Sequence, residues 1–465
     1  MSRQTVRLEP LIHQVLEGMD GLMQPYGAFA QHPSQQADPQ QVAAVLSELV
    51  DRLKVNPPLF HPHYVAQMLK PPHPVAVAAY LATMLINPNN HSIDAGKATT
   101  ILEREVLESM AAMFDYPNDY LGHLTWSGTT ANLEALWVSR ELRPGKRIAY
   151  SKDAHYTHGR MAEVLNVPVV VIPTEIDGRM SLEALEAEMK KGDLAVVVAT
   201  LGTTGLGAVD PLADIVALAE KYDVRVHVDA AYGGFFTLVQ NELEPETARH
   251  YAAIGRSDSI VVDPHKHGLQ PYGCGSVFFK DHTVGRFYKH DSPYTYFASK
   301  EVHFGEIQLE TSRAGASAAA LWATLQVLPL TRDGLGAVLQ ADRRAAVKWH
   351  GLLEQSPVLA PYQRPELDIL GYLPRTSSEP LAMSEITRVS DYVFSKAMSG
   401  PAERQLHLAE YKASSAALAG RGHNVSPDAE FASILRSVTM KPEHETIVDE
   451  IHSRVEALTV EALNQ

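Results

Sequence analysis

Between residues 147 and 279 the chain alternates short runs rich in Val, Ile and Ala with longer amphipathic ones, and few folds accommodate that rhythm. Strands are predicted at 147–150, 167–172, 194–200, 224–229, 259–262 and 276–279, with helices at 129–142, 155–165, 181–190 and 211–222 beside or between them. Strand and helix in alternation make an α/β fold, a mostly parallel sheet buried on both faces by its crossover helices. Such sheets gather ligands beyond the carboxyl ends of their strands. Residues 151–155, Thr203, Asp229 and Lys266 each end or follow a predicted strand, so the pattern lines them up along one edge of the sheet.

The flanks divide the 465 residues into more than one ordinary domain. Residues 1–95 hold two helical patterns, 8–18 and 39–54, joined by a Gln/Pro/Ser-rich link, then a His- and Pro-rich loop at 60–74. The large domain spans 96–332 and opens on an amphipathic helix at 97–114. A linking helix at 335–355 leads into a small α+β domain within 333–465, with strands at 367–373 and 434–439 and helices at 383–398 and 443–463. Residues 286–310 have no clear period and read as a lid-type loop. The net charge of −15 argues against nucleic acid and anionic membranes as partners. Cys274 is the only cysteine, which excludes an internal disulfide and a cysteine-rich zinc site. His61, His63 and His73 lack a carboxylate or cysteine at ligand spacing, so no metal is expected. Residues 1–21 lack the apolar core of a signal peptide, and a cytoplasmic location is the expectation.

The chemistry concentrates in three stretches. SIVVDPHKHGLQPYGCG ends a strand at Pro264 and presents Lys266 in a turn kept open by Gly268, Gly273 and Gly275. VRVHVD ends on Asp229, and WSGTTANLEAL opens a helix whose first N–H groups suit a phosphate. An amine, an anion and a phosphate cradle are what pyridoxal phosphate (PLP) needs for its aldehyde, its ring nitrogen and its phosphate. Two other readings compete. Gly205, Gly207 and then Asp229 mimic a dinucleotide fingerprint, which would make the chain an NAD-type oxidoreductase, but Asp210 and Pro211 stand where the third glycine belongs. SGTTANL lacks the lysine of a mononucleotide-binding loop.

SGTTANLEAL, DAHYTHGR, ATLGTTGLGAVDP, HVDAAYGG, DPHKHGLQPYGCG and LETSRAGASAAALWA resemble, in that order, the motifs of the group II PLP-dependent amino acid decarboxylases, over roughly residues 60–330. Residues 263–330 look most like bacterial tyrosine decarboxylases, although the chain is shorter than those enzymes. The resemblance implies PLP fold type I, the aspartate aminotransferase-like architecture, in a homodimer with its active site at the subunit interface and the N-terminal segment wrapped on the partner. It implies Lys266 as the Schiff-base lysine, Asp229 on the ring nitrogen, His155 stacked on the ring, and Gly128, Thr129, Thr203 and His265 around the cofactor. Tyr294 matches the loop tyrosine that protonates the α-carbon, with Tyr296 able to take its place. The His73 region would line the substrate pocket, and residues 312–315 would contact the partner's cofactor. Trp126 and Thr130 depart from the pattern, where a small residue and Glu are frequent. The implied reaction is decarboxylation of an L-amino acid, with an aromatic substrate such as tyrosine favoured. Acidic substrates (glutamate, aspartate or cysteine sulfinate) and an aldehyde-forming variant stay open.

Overall fold

The computed structural model describes residues 5–289, 304–375 and 380–465. Four helices precede the sheet: α1 (Leu8–Met23), α2 (Pro39–Leu53), α3 (Pro74–Ile86) and α4 (Ile93–Met113). Side chains fix their starts. Asp38 accepts the N–H of Gln40 ahead of Pro39 in α2, and His73 accepts that of Val75 ahead of Pro74 in α3. Ser92 caps α4 through the N–H of Ala95. Residues 60–73 form the expected loop, but α3 was not legible. Its sequence PVAVAAYLATMLI is apolar all round, so it carries no 3.6-residue period, and it packs against α1 and a later helix rather than on the sheet.

Seven strands make the central sheet: β1 (Leu121–Thr125), β2 (Arg147–Ser151), β3 (Val169–Ile172), β4 (Leu194–Thr200), β5 (Arg225–Asp229), β6 (Ser259–Val262) and β7 (Gly275–Phe279). Their spatial order is β1-β7-β6-β5-β4-β2-β3, and only β7 runs against its neighbours. Helices α5 (Gly128–Leu142), α6 (Thr157–Val164), α7 (Leu182–Met189), α8 (Leu212–Tyr222) and α9 (Pro245–Tyr251) make the crossovers. The middle strand β4, LAVVVAT, is buried along its whole length, as a strand covered on both faces must be. The strand missing from the sequence reading is β1, LGHLT. Its Gly122 lies flat against the Phe278 ring and its buried His123 pairs with Glu134 at 2.9 Å, so no hydrophobic pattern advertises it.

The C-terminal part begins with α10 (Ala316–Val327) and α11 (Gly336–Gln355). Strands β8 (Leu359–Pro361), β9 (Ile369–Pro374), β10 (Leu381–Ala382), β11 (Ala409–Ser414), β12 (Val425–Ser426) and β13 (Phe431–Val438) follow, with α12 (Met383–Ala397), α13 (Ser415–Gly420) and α14 (His444–Leu463). A four-stranded antiparallel sheet, β11-β13-β9-β8, and the short β10–β12 pair result. Helix α11 belongs to both cores: Leu339 is buried in the large one, and Trp349 stacks at 5.4 Å on Tyr372 in the small one. From β13, the Arg436 guanidinium donates to the carbonyl oxygens of Gly205, Thr204 and Ala66. That ties the small sheet to the turn after β4. No described helix is long and apolar enough to cross a membrane.

Candidate active site

Strand ends and one helix start converge on a cavity of about 280 Å³. Gly128 and Thr129 come from the first turn of α5, His155 from the β2–α6 connection, Asp229 from the end of β5, and His265 and Lys266 from the turn after β6. A larger cavity of about 600 Å³, bounded by α4, β1 and residues 282–289, holds none of the residues singled out from the sequence.

Each group is placed by local chemistry. Ser127 caps α5 by accepting the N–H of Thr130, which leaves the N–H groups of Gly128 and Thr129 without a partner among the described hydrogen bonds. Asn132 holds the same turn from behind, donating to the Gly128 carbonyl while its Oδ1 accepts from His227 Nε2 at 2.8 Å. His227 Nδ1 then accepts from the Ser259 hydroxyl at 2.9 Å, and burial pushes this imidazole down to about 3, so it stays neutral. The helix start is thereby fastened to β5 and β6.

Asp229 accepts from His158 Nε2 at 2.9 Å and from the Ala231 N–H at 3.1 Å. Burial alone would raise its pKa, but the hydrogen bond and charge of His158, with Lys266 and His227 behind them, outweigh it and hold the carboxyl well below the usual range. An anion is thus kept ready inside the cavity. Lys266 Nζ lies 3.2 Å from Asp263 Oδ2, and His265 Nε2 lies 3.4 Å from the same oxygen. Burial lowers the pKa of both His155 and His265.

Of the residues named from the sequence, Gly128, Thr129, His155, Asp229, His265 and Lys266 line the one cavity. Thr203 does not. Its hydroxyl accepts the N–H of Ala208 inside the turn after β4, and Gly202 and Thr204 on either side face the cavity instead. Tyr294 and Tyr296 lie outside the described residues. Ser312 accepts from Asn89 Nδ2 at 3.2 Å, and Arg313 pairs with buried Glu103, so this stretch braces α4. The sequence reading missed His158, Asn132, Asp263 and Thr200. His158 stands three residues after His155, one helical turn on, which is the one signal that could have found it.

Beneath Lys266 the chain is pinned by a fully buried polar cluster. His267 Nδ1 faces Asp342 at 3.6 Å and its Nε2 faces Asp368 at 3.4 Å. Lys70 Nζ is 3.2 Å from Asp342, and the Tyr232 hydroxyl donates to Asp368 at 2.6 Å. Burial, which disfavours the charged carboxylates, raises the two acids to about 7 and about 6. The N-terminal loop, α11 and the small domain all anchor here, at the residue after the lysine.

The cavity fits PLP by its chemistry. It offers an amine, an anion, and a helix start with free N–H groups. It also holds two buried oxygens without partners, Thr200 Oγ1 and Asp263 Oδ1, that want a polar ligand. A Cβ on Gly128 would lie 2.7 Å from Asp263 Oδ2. Gly128→Ala is therefore expected to push the helix start off the acid and weaken PLP retention about 10- to 100-fold, by the usual cost of overpacking. Dialysis followed by cofactor absorbance checks it.

Comparison with known proteins points the same way. The model of the pyridoxal-dependent decarboxylase conserved domain matches residues 28–356. An L-tyrosine decarboxylase from Enterococcus faecium is 28% identical over 70% of this chain and 69% of its own. An L-2,4-diaminobutyrate decarboxylase from Rhizobium meliloti is 34% identical over 52% and 50%. A probable L-aspartate decarboxylase from Pyrococcus abyssi is 29% identical over 61% and 72%. These alignments span between half and about seven-tenths of the relatives' own lengths. In fold, the crystal structure of Oryza sativa TDC with PLP and tryptamine superposes with a TM-score of 0.78 at 17% identity, covering 99% of both chains. Mouse CSAD in apo form gives 0.77 at 18%, covering 97% and 98%. The matched domain, the fold and the lysine–aspartate cavity together show that this chain belongs to the pyridoxal-dependent decarboxylase family, PLP-dependent enzymes of amino acid decarboxylation.

Proposed function

We propose that the chain removes the α-carboxylate of an aromatic L-amino acid such as tyrosine, releasing the amine and carbon dioxide. The observation that carries it is the convergence of Lys266, Asp229 and the α5 helix start on one cavity in a chain of this family. Bound PLP supplies an electron sink for the charge left on the α-carbon. The chain's residues do the rest. Lys266 would hold the cofactor through its Nζ amine. Asp229, kept anionic by His158, would favour a protonated ring nitrogen on the bound cofactor. His155 would lie beside the bound cofactor, and Gly128 and Thr129 would offer backbone N–H groups to its phosphate. His265 shields the lysine side of the cavity with its Nδ1 tied to the Cys274 carbonyl at 2.7 Å. Tyr294, with Tyr296 as its alternate, is assigned the final proton on the family likeness.

The tyrosine decarboxylase relative, matched over more of this chain than the diaminobutyrate or aspartate relatives, supports the aromatic preference. The test is a panel of L-amino acids incubated with the PLP-loaded protein while carbon dioxide and amine are measured. Amine from tyrosine supports the reading, amine from aspartate, glutamate or diaminobutyrate moves the substrate, and aldehyde with ammonia moves the reaction to an oxidative one. We place the enzyme in the cytoplasm, where its lone buried thiol, Cys274, stays reduced.

We also assign a homodimer. On α2, Val42, Val45, Leu46, Leu49, Val50 and Leu53 form an apolar stripe at helical spacing that stays exposed among the described residues. Leu46→Asp combined with Leu49→Asp is expected to raise the dimer dissociation constant at least about tenfold, by the burial energy of two leucines. Sedimentation equilibrium reads it.

A further inference from the structure

Thr200 is the last residue of β4, and its hydroxyl is a part of the cavity wall that the chain itself leaves unused. The residue is 4% exposed, it lines the cavity, and Oγ1 has no hydrogen-bond partner among the described residues. No other buried hydroxyl of that wall, among the described residues, is in the same condition. Tyr232 donates to Asp368, and the hydroxyls of Thr129 and Thr157 meet at 3.2 Å. A buried donor left bare is costly, and a ligand in the cavity removes the cost.

The position is fixed by its neighbours. The Thr200 N–H donates to Asp210 Oδ2 at 2.8 Å, and Asp210, fully buried, also accepts the N–H of Met180 at 2.7 Å. A β-branched side chain on a strand so held has little rotational choice. Thr200 and Asp229 are partners across the parallel β4–β5 pair, so their side chains leave the same face of the sheet about 4.8 Å apart. The threonines that follow do not compete. Thr203 spends its hydroxyl on the Ala208 N–H, and Thr204 is exposed.

Sheet order decides which edge of the cofactor that hydroxyl meets. PLP is a pyridine with the aldehyde carbon opposite the nitrogen, the phosphate arm on one flank, and a phenolic oxygen beside a methyl group on the other. With the nitrogen at Asp229 and the aldehyde at Lys266, the phosphate flank must face the start of α5. That start lies on the β6–β7 side of β5, where a Cβ on Gly128 would meet Asp263 and one on Gly275 would meet Ser127. The opposite flank therefore faces β4, the neighbour of β5 on its other side, and Thr200 is the buried donor standing there. The phenolic oxygen is closer to the ring nitrogen than one strand spacing, so a donor one strand away from Asp229 reaches it.

We propose that the Thr200 hydroxyl donates to the phenolic oxygen of bound PLP, and that this is the contribution of β4 to the cofactor in place of Thr203. Asp229 and Thr200 then hold the nitrogen and the oxygen of one ring from adjacent strands, which sets its rotation in its own plane. The inference rests on the assignment of Lys266, Asp229 and the α5 start as the PLP site.

Thr200→Val keeps the branched shape and removes the donor, whereas Thr200→Ser keeps the donor. Dissociation constants for PLP and for its deoxy analogue, which lacks only the phenolic oxygen, are measured on apoprotein of wild type and both variants, with borohydride trapping and peptide mapping of each. Thr200→Val is expected to weaken PLP at least about tenfold, the scale of one hydrogen bond to an oxygen carrying negative charge, and to change the constant for the analogue less than about twofold. Thr200→Ser should recover most of the PLP affinity. The analogue shares the lysine linkage, the ring nitrogen and the phosphate, so a distorted cavity weakens both ligands and loss of this one bond weakens PLP alone. With Lys266 labelled, PLP bound equally by wild type and the valine variant, or an equal loss for both ligands, overturns the proposal alone. The second of these outcomes returns the hydroxyl to the wall or to a water. Label at a residue other than Lys266 overturns the site assignment and the proposal with it.

Discussion

Lys266→Ala is expected to lower kcat by roughly 10³-fold or more and to abolish borohydride-trapped cofactor, while the protein still folds. The size follows from what the lysine does. In the proposed role it would hold the cofactor and give way to the substrate amine within one cavity, and pre-positioned groups of this kind are worth several powers of ten. The structural loss should be small, because the side chain is only partly buried and its one ion pair among the described residues is to Asp263. His267, not Lys266, carries the buried contacts of this turn to Asp342 and Asp368. A variant with native thermal unfolding, no covalent cofactor and near-wild-type decarboxylation would remove Lys266 from the mechanism. Exogenous methylamine, supplying the missing amine, is expected to restore part of the rate.

Asp229→Asn has the second-largest expected effect, a loss of about 10² to 10³ in kcat with KM little changed. The amide keeps the shape but not the charge, and preorganised charges aimed at the reacting system are worth about that much. His158 then becomes informative. It is buried, its Nε2 bonds to Asp229, and its Nδ1 has no partner among the described residues. His158→Phe leaves the anion without its main support, so a smaller loss of about tenfold is expected together with an acidic limb of the kcat profile moved to higher pH. The sign follows from linkage. The native pKa of Asp229 lies below its unfolded value near 4, so its contribution is present above about pH 4 and is lost as pH falls through the native value. Removing His158 lets burial dominate and carries that loss toward neutrality. An unchanged pH profile in the phenylalanine variant would show that something other than His158 sets the charge.

How much was readable in advance differs between the frame and the site. Five of the six strands predicted between 147 and 279 needed only runs of Val, Ile and Ala, and the groups at their carboxyl ends follow from the directionality of a parallel sheet. Two of the elements that escaped share one cause. α3 is apolar on every side and β1 is interrupted by Gly122 and His123, so neither shows the periodicity that identifies an element before its neighbours are known. Thr203 shows the same limit at the scale of a side chain. Chain order puts it in the right turn, but the conformation of that turn spends its hydroxyl on Ala208.

What the sequence determined by itself was the order of strands and helices, the edge on which the chemistry collects, and the pairing of an amine with an acid one strand earlier, because these depend on local patterns and on handed connections. Only the tertiary structure decided that His158 bonds to Asp229, that Asn132 fastens the start of α5 through His227, and that Asp263 lines the same cavity. The contacts of His158 with Asp229 and of Asn132 with His227 join residues 71 and 95 positions apart, and their energy comes from burial, which no single stretch of chain can express before the others have packed around it.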